Sequence, residues 1–208
     1  MAIQSSFKNM TLCLFAVCIV SSALLAAVYA LTKTPIEAAD KAKTAGAIAR
    51  VVPEFEGEPV LSTVEMGGKE YTYYTVSKAG KPVGYAIMSS AVGFSGPVSL
   101  MVGITSDRVI FSTSVLSQAE TPGLGAKCVE PAFAGQFTNL DPAVKKLAVK
   151  KDGGDIDAIT ASTITSRAYT KAVEIAVAVF DTIVSGGSAD TGDAVTGASL
   201  KPAAEGQE

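Results

Sequence analysis

Asp157-Ala158-Ile159-Thr160-Ala161-Ser162-Thr163-Ile164-Thr165-Ser166 is a hydroxyl-rich turn that feeds a long apolar-periodic run. Within that run Ile164, Ala168, Ala172, Ile175, Ala176, Val179 and Ile183 recur at three- and four-residue spacings, which predicts one stripe of a helix starting near Thr163. The first N–H groups of a helix lack intrahelical partners and sit at the positive end of its dipole. Thr160, Ser162 and Thr163 therefore cluster where an anion is favoured. Ser and Thr are also preferred N-cap residues, and plain capping explains the same hydroxyls.

Upstream, Lys145, Lys146, Lys150 and Lys151 form a basic run ending in Asp152-Gly153-Gly154. It reads as a solvated face that could also meet a phosphate. Lys127 to Phe137 reads as a short helix with Phe133 and Phe137 in the core. Cys128 reads as a small buried apolar group. Before it stands Glu120-Thr121-Pro122-Gly123-Leu124-Gly125, where Pro followed by Gly predicts a type II turn with exposed backbone donors and acceptors. From Val60 to Gln118 the pattern is of strands: Val60–Met66, Glu70–Ser77, Val83–Ser90, Val98–Thr105 and Val109–Gln118, separated by Gly-rich or Ser-Asp turns. Short connections predict a twisted, mainly antiparallel sheet, and the helical C-terminal half makes the class α+β, with helices on one side.

Residues 11–31 form an uncharged apolar run long enough to cross a bilayer. It predicts a transmembrane helix, a cleaved signal peptide ending at Val28-Tyr29-Ala30 being the alternative. Thr34-Pro35-Ile36-Glu37 has the form of a capping box with Pro in the first turn, and predicts a separate connecting helix to about Val52. The expected plan is a tail at 1–10, the span at 11–31, a connecting segment at 32–59, one domain at 60–185 and a flexible tail at 186–208.

Composition excludes much. No His is present, which removes the commonest metal ligand and general base, and three Cys make neither a zinc cage nor a disulfide framework. No metal site or catalytic residue is expected. A net charge of −3 offers no footprint for nucleic acid. The chemistry has to come from a cofactor or from elsewhere.

Asp157-x-x-Thr160-Ala161-Ser162-Thr163 resembles the Asp-x-x-(Ser/Thr)-Gly-Ala-Thr signal of the FMN-binding domain family shared by RnfG and NqrC. Ala161 stands where Gly is usual, and Ser162 where Ala is usual. Gly84-Tyr85-Ala86, Gly93-Phe94-Ser95-Gly96 and Glu120-Thr121-Pro122-Gly123-Leu124-Gly125 are similar to further motifs of the family, in its order. The resemblance implies covalent FMN joined to Thr163 by a flavin transferase, with Asp157 opening the recognition signal. Glu120, Thr121, Gly123, Leu124, Gly125, Thr160 and Ser162 would complete the cofactor site. It also implies an electron-carrier subunit of an Rnf-type ferredoxin:NAD oxidoreductase that moves Na⁺ or H⁺. Its partners are other membrane subunits, and its domain lies outside the cytoplasmic membrane. An NqrC-like subunit of a Na⁺-pumping NADH:quinone reductase and a flavin-free anchored binding domain are the alternatives. In the tail, Asp193-Ala194-Val195-Thr196-Gly197-Ala198-Ser199 keeps the Gly and Ala but ends in Ser, leaving Ser199 as a second candidate acceptor.

Overall fold

The computed structural model describes residues 7–186 and the backbone of 189–190 of the 208-residue chain. The chain divides into two compact units, one up to Ala45 and one from Gly46 onward. The first is helical. Helix α1, Phe7–Val51, is continuous, and its apolar part is long enough to cross a membrane. No second helix starts at Thr34, so the capping box is not used. Pro35 lies inside α1, where it removes only the one bond its N–H would give to Leu31. Good helix formers lie on both sides of it, and the Lys33–Glu37 ion pair (3.8 Å) spans it.

In the second unit a five-strand antiparallel meander runs β1 (Glu56–Met66), β2 (Lys69–Lys78), β3 (Lys81–Val92), β4 (Pro97–Thr105) and β5 (Ile110–Ser117). The two residues of β6 (Ala189–Asp190) add to the β1 edge, giving the order β5-β4-β3-β2-β1-β6. That pairing begins inside the segment expected to be a flexible tail. The Asp193–Ser199 signal lies outside the described residues. All five expected strands form, each within three residues of its expected ends except at the start of β1, which begins four residues early at Glu56. Alternating β-branched and aromatic residues are enough to define them.

The segment from Gly125 to Phe137 is not one helix. Pro131 and Gly135 divide it into a 3-10 turn (Gly125–Val129), the single turn α2 (Pro131–Ala134) and a second 3-10 turn (Gly135–Phe137).

Helix α3 (Thr163–Val184) covers one face of the sheet. Tyr169, Val173, Val177 and Phe180 join Ile87, Leu100, Val102 and Ile104 in the larger core, with Phe133 edge-on and Phe137 tilted against Tyr169 at ring separations of 5.2 and 5.0 Å. The opposite face is covered too, by Ala47, Ile48, Val51 and Val52, which pack on Val76, Ala86 and Met101. Helices thus flank both sides of the sheet, against the expected single side. Burial on both faces explains why β4 reads as a nearly continuous apolar run rather than an alternating one. Gly103 permits this layer, because a Cβ there would overlap the Val51 carbonyl.

Candidate functional site

Helix α3 begins at Thr163, as its periodicity predicts, with Ser162 at the N-cap and no side-chain capping bond. The first intrahelical bond runs from Ser166 N to Ser162 O (3.0 Å). The hydroxyls gathered here therefore do not cap the helix, and its first N–H groups remain available at the positive end of the dipole. Ser162 is buried, Thr163 half-buried and Thr160 exposed. Ala161, the residue standing in for Gly, takes a left-handed φ of 60°. That angle costs an L residue about 1–2 kcal/mol, which identifies the physical reason a Gly suits the position.

Ala168, Ala172, Ala176 and Val179 of the predicted stripe are buried, with Ile175 and Ile183 packed at its edge, but the buried face extends further round α3 than the stripe and leaves out Ile164. Ile164 is 48% exposed, whereas Thr165 and Ser166 are buried. Polar bonds hold them there. Ser166 Oγ accepts from Ile159 N (2.9 Å) and donates to Ser162 O, while Thr165 Oγ1 donates to Glu120 Oε2 at 2.7 Å.

That last contact joins α3 to the Glu120–Gly125 loop across 45 residues of sequence. The loop is the type II turn expected: Gly123 has φ 77°, and Leu124 N donates to Thr121 O at 3.1 Å. Thr121 is exposed, and a Cβ on Gly123 would meet nothing within 4 Å, so the turn faces open space. Gly125, in contrast, is buried against Glu120 and Thr165. Glu120 itself is only 6% exposed. Its second oxygen, Oε1, accepts from Phe94 N (2.8 Å) and Ser95 N (3.1 Å) in the Gly93–Gly96 turn. Three stretches singled out in the sequence thus meet at one carboxylate.

Around Thr163 the charges are mixed, with one lysine beside the hydroxyl and two ion pairs flanking it. Lys151 Nζ lies 3.4 Å from Thr163 Oγ1. Arg167, one turn on, makes two bonds to Asp152 (2.6 and 2.7 Å), which holds that carboxyl below its ordinary range and raises the guanidinium. Asp157 pairs with Lys150 (2.7 Å), and its backbone exchanges bonds with Gln136. The position that opens the signal is therefore fixed while its carboxylate stays at the surface. Burial, with a smaller push from Glu120, raises the Cys128 thiol, in keeping with an inert core cysteine. Thr165 and Ser166 are the residues at this junction that sequence reasoning gave no role, whereas Lys151 belongs to the basic run already read as able to meet a phosphate. Hydroxyls on what proves to be the inner side of a helix are their one local sign.

Residues 93–178 match the family model of the FMN-binding domain. The G subunit of the ion-translocating oxidoreductase complex of Methanosarcina acetivorans is 39% identical over 168 residues, covering 76% of this chain and 88% of that one. The G subunit of the proton-translocating ferredoxin:NAD(+) oxidoreductase complex of Clostridium ljungdahlii is 32% identical over 182 residues, covering 86% and 92%. Among solved structures, the C subunit of the Na(+)-translocating NADH-quinone reductase of Parabacteroides distasonis is similar with a TM-score of 0.46 at 21% identity, over 64% of this chain and 78% of that one.

The residues present fit FMN. An uncapped helix start and Lys151 offer donors and positive charge for a phosphate, and Thr163 offers a reachable hydroxyl between them. Phe94, Leu124 and Ile164, exposed by 70, 43 and 48%, offer apolar surface for a flat ring. With identity and coverage at this level over most of its length, the chain belongs to the RnfG family, the G subunits of ion-translocating oxidoreductase complexes.

Proposed function

We propose that this chain is the flavin-carrying subunit of a membrane ferredoxin:NAD oxidoreductase that couples electron transfer to Na⁺ or H⁺ movement, with FMN esterified to Thr163. The observation that carries this reading is the meeting of the uncapped α3 start, the Thr121–Gly125 turn and the Gly93–Gly96 turn within the FMN-binding match. FMN supplies the redox chemistry when bound, and the protein positions and tunes it.

Thr163 supplies the ester oxygen. A phosphodiester there carries one negative charge, which the helix N-terminus favours by ~0.3–1 kcal/mol, and Lys151 adds a nearby cation. Neither is strong enough to retain a flavin, so the covalent bond does the retaining. The open backbone of Thr121–Leu124 faces the side where a ring edge needs donors and acceptors, with Leu124 to cover it. A flavin transferase is the maturation partner, and the other membrane subunits of the complex are the electron-transfer partners. Helix α1 anchors the chain, with the flavin domain on the outer side of the cytoplasmic membrane.

The test is co-expression with a flavin transferase, read as flavin fluorescence on a denaturing gel. Thr163→Ala gives no fluorescent band, and Ser199→Ala leaves it intact. An exchange of those two outcomes would make the tail signal the acceptor.

A further inference from the structure

Glu120 is the one buried carboxylate among the described residues. No lysine or arginine pairs with it in the described structure. Both oxygens accept instead from neutral donors: Phe94 N and Ser95 N on one side, and the Thr165 hydroxyl on the other. Its own amide is held by Gln118 Oε1 at 2.6 Å, which fixes the approach of the main chain. Glycines leave the room it occupies. A Cβ on Gly93 would overlap Oε1, and one on Gly125 would come within 2.5 Å of Oε2 and 2.6 Å of Thr165 Oγ1. Its charge reaches its neighbours, since it contributes to raising the Cys128 thiol.

From this we infer that Glu120 does not hold the cofactor but is a positioning residue. Its carboxylate clamps the Gly93–Gly96 turn and the Thr121–Gly125 turn onto the first turn of α3 before flavin arrives, and places an unneutralised negative charge beside the ring site. The inference rests on reading Thr163 as the FMN carrier. A carboxylate suits the clamp because it accepts on two sides at once, and hydrogen bonds to an ionised acceptor are the stronger ones. A fixed negative charge close to a redox group disfavours electron uptake, because attraction or repulsion between charges is strong where water is excluded.

Two substitutions separate clamp from charge. Glu120→Ala removes both. In the full chain carrying Thr163→Ala, and so free of flavin, hydrogen exchange at the Phe94 and Ser95 amides is expected to quicken at least tenfold relative to Thr163→Ala alone, with far-UV circular dichroism unchanged. Retained protection would overturn the clamp. Glu120→Gln keeps the shape, because its oxygen can still accept from the two amides and its NH₂ can donate to the Thr165 hydroxyl. In the flavin-loaded chain this variant is expected to keep the amide protection and raise the midpoint potential of the flavin. An unchanged or lowered potential would overturn the electrostatic role, and where Glu120→Ala fails to fold, this arm decides alone. A wild-type chain that takes up no FMN at all refutes the reading of Thr163 and leaves the exchange comparison as the test of the clamp.

Discussion

Gly125→Ala puts the assembly of the site to a quantitative test. The added Cβ would come within 2.5 Å of Glu120 Oε2, 2.6 Å of Thr165 Oγ1 and 2.9 Å of Glu120 Cβ. None of these atoms can move without loosening the Thr165–Glu120 bond. Overpacking in a tight site costs about 1–3 kcal/mol, and a hydrogen bond to a charged group contributes about 1.5–3 kcal/mol. The two effects describe one displacement and do not simply add, so a loss of about 2–4 kcal/mol is expected. With a urea slope of about 2 kcal/mol per molar, the unfolding midpoint should fall by roughly 1–2 M. The chain has no Trp and six Tyr, so tyrosine fluorescence is a suitable signal. Gly123→Ala is the control two residues away. It suffers the left-handed φ of 77° but meets no atom, and about 1 kcal/mol is expected. A Gly125→Ala protein no less stable than Gly123→Ala would refute the packing of Glu120, Gly125 and Thr165 described above.

Ala161→Gly relieves the strain of φ 60°, a gain of about 1–2 kcal/mol reduced by about 0.5–1 kcal/mol of added chain entropy, and should raise Tm by about 1–4 °C in a thermal scan. Burial pushes the Tyr169 phenol from 10 up to about 12. Its neutral form is favoured by folding, so that stability is fully present below about pH 10 and is lost as pH climbs toward 12, by roughly 2–3 kcal/mol. Tyr169→Phe should flatten the alkaline slope in urea titrations, at a cost near pH 7 of about 1 kcal/mol for the lost 2.7 Å bond with Thr113. If the domain lies outside the cytoplasmic membrane, protease added to spheroplasts digests it; digestion only after the membrane is opened would place it inside.

Most of the sheet is legible in the chain because its strands alternate or run apolar between glycine-marked turns, and local pattern is all a strand boundary needs. The start of α3 is legible for the same reason. Three features are not. Thr34-Pro35-Ile36-Glu37 has every local mark of a helix start, yet one missing hydrogen bond does not stop a helix flanked by good helix formers. Ile164 fits the apolar period but faces outward, because Thr165 and Ser166 are drawn inward by bonds to Glu120 and Ile159. Glu120 belongs to a motif that the resemblance picks out, while its bonds come from donors 25, 26 and 45 residues away. Long-range polar partners leave no periodic trace, so the motifs are readable in the sequence and the way they are held together is not.

The most direct measurement is the mass of tryptic peptides from the full chain matured with a flavin transferase. Cleavage after Lys151, Arg167 and Lys171 separates residues 152–167, which contain Thr163, from residues 172–208, which contain Ser199. The prediction is that peptide 152–167 gains the mass of one FMN less water, with fragmentation placing it on Thr163 and peptide 172–208 unmodified. An unmodified 152–167 peptide, or FMN found on 172–208, would contradict it.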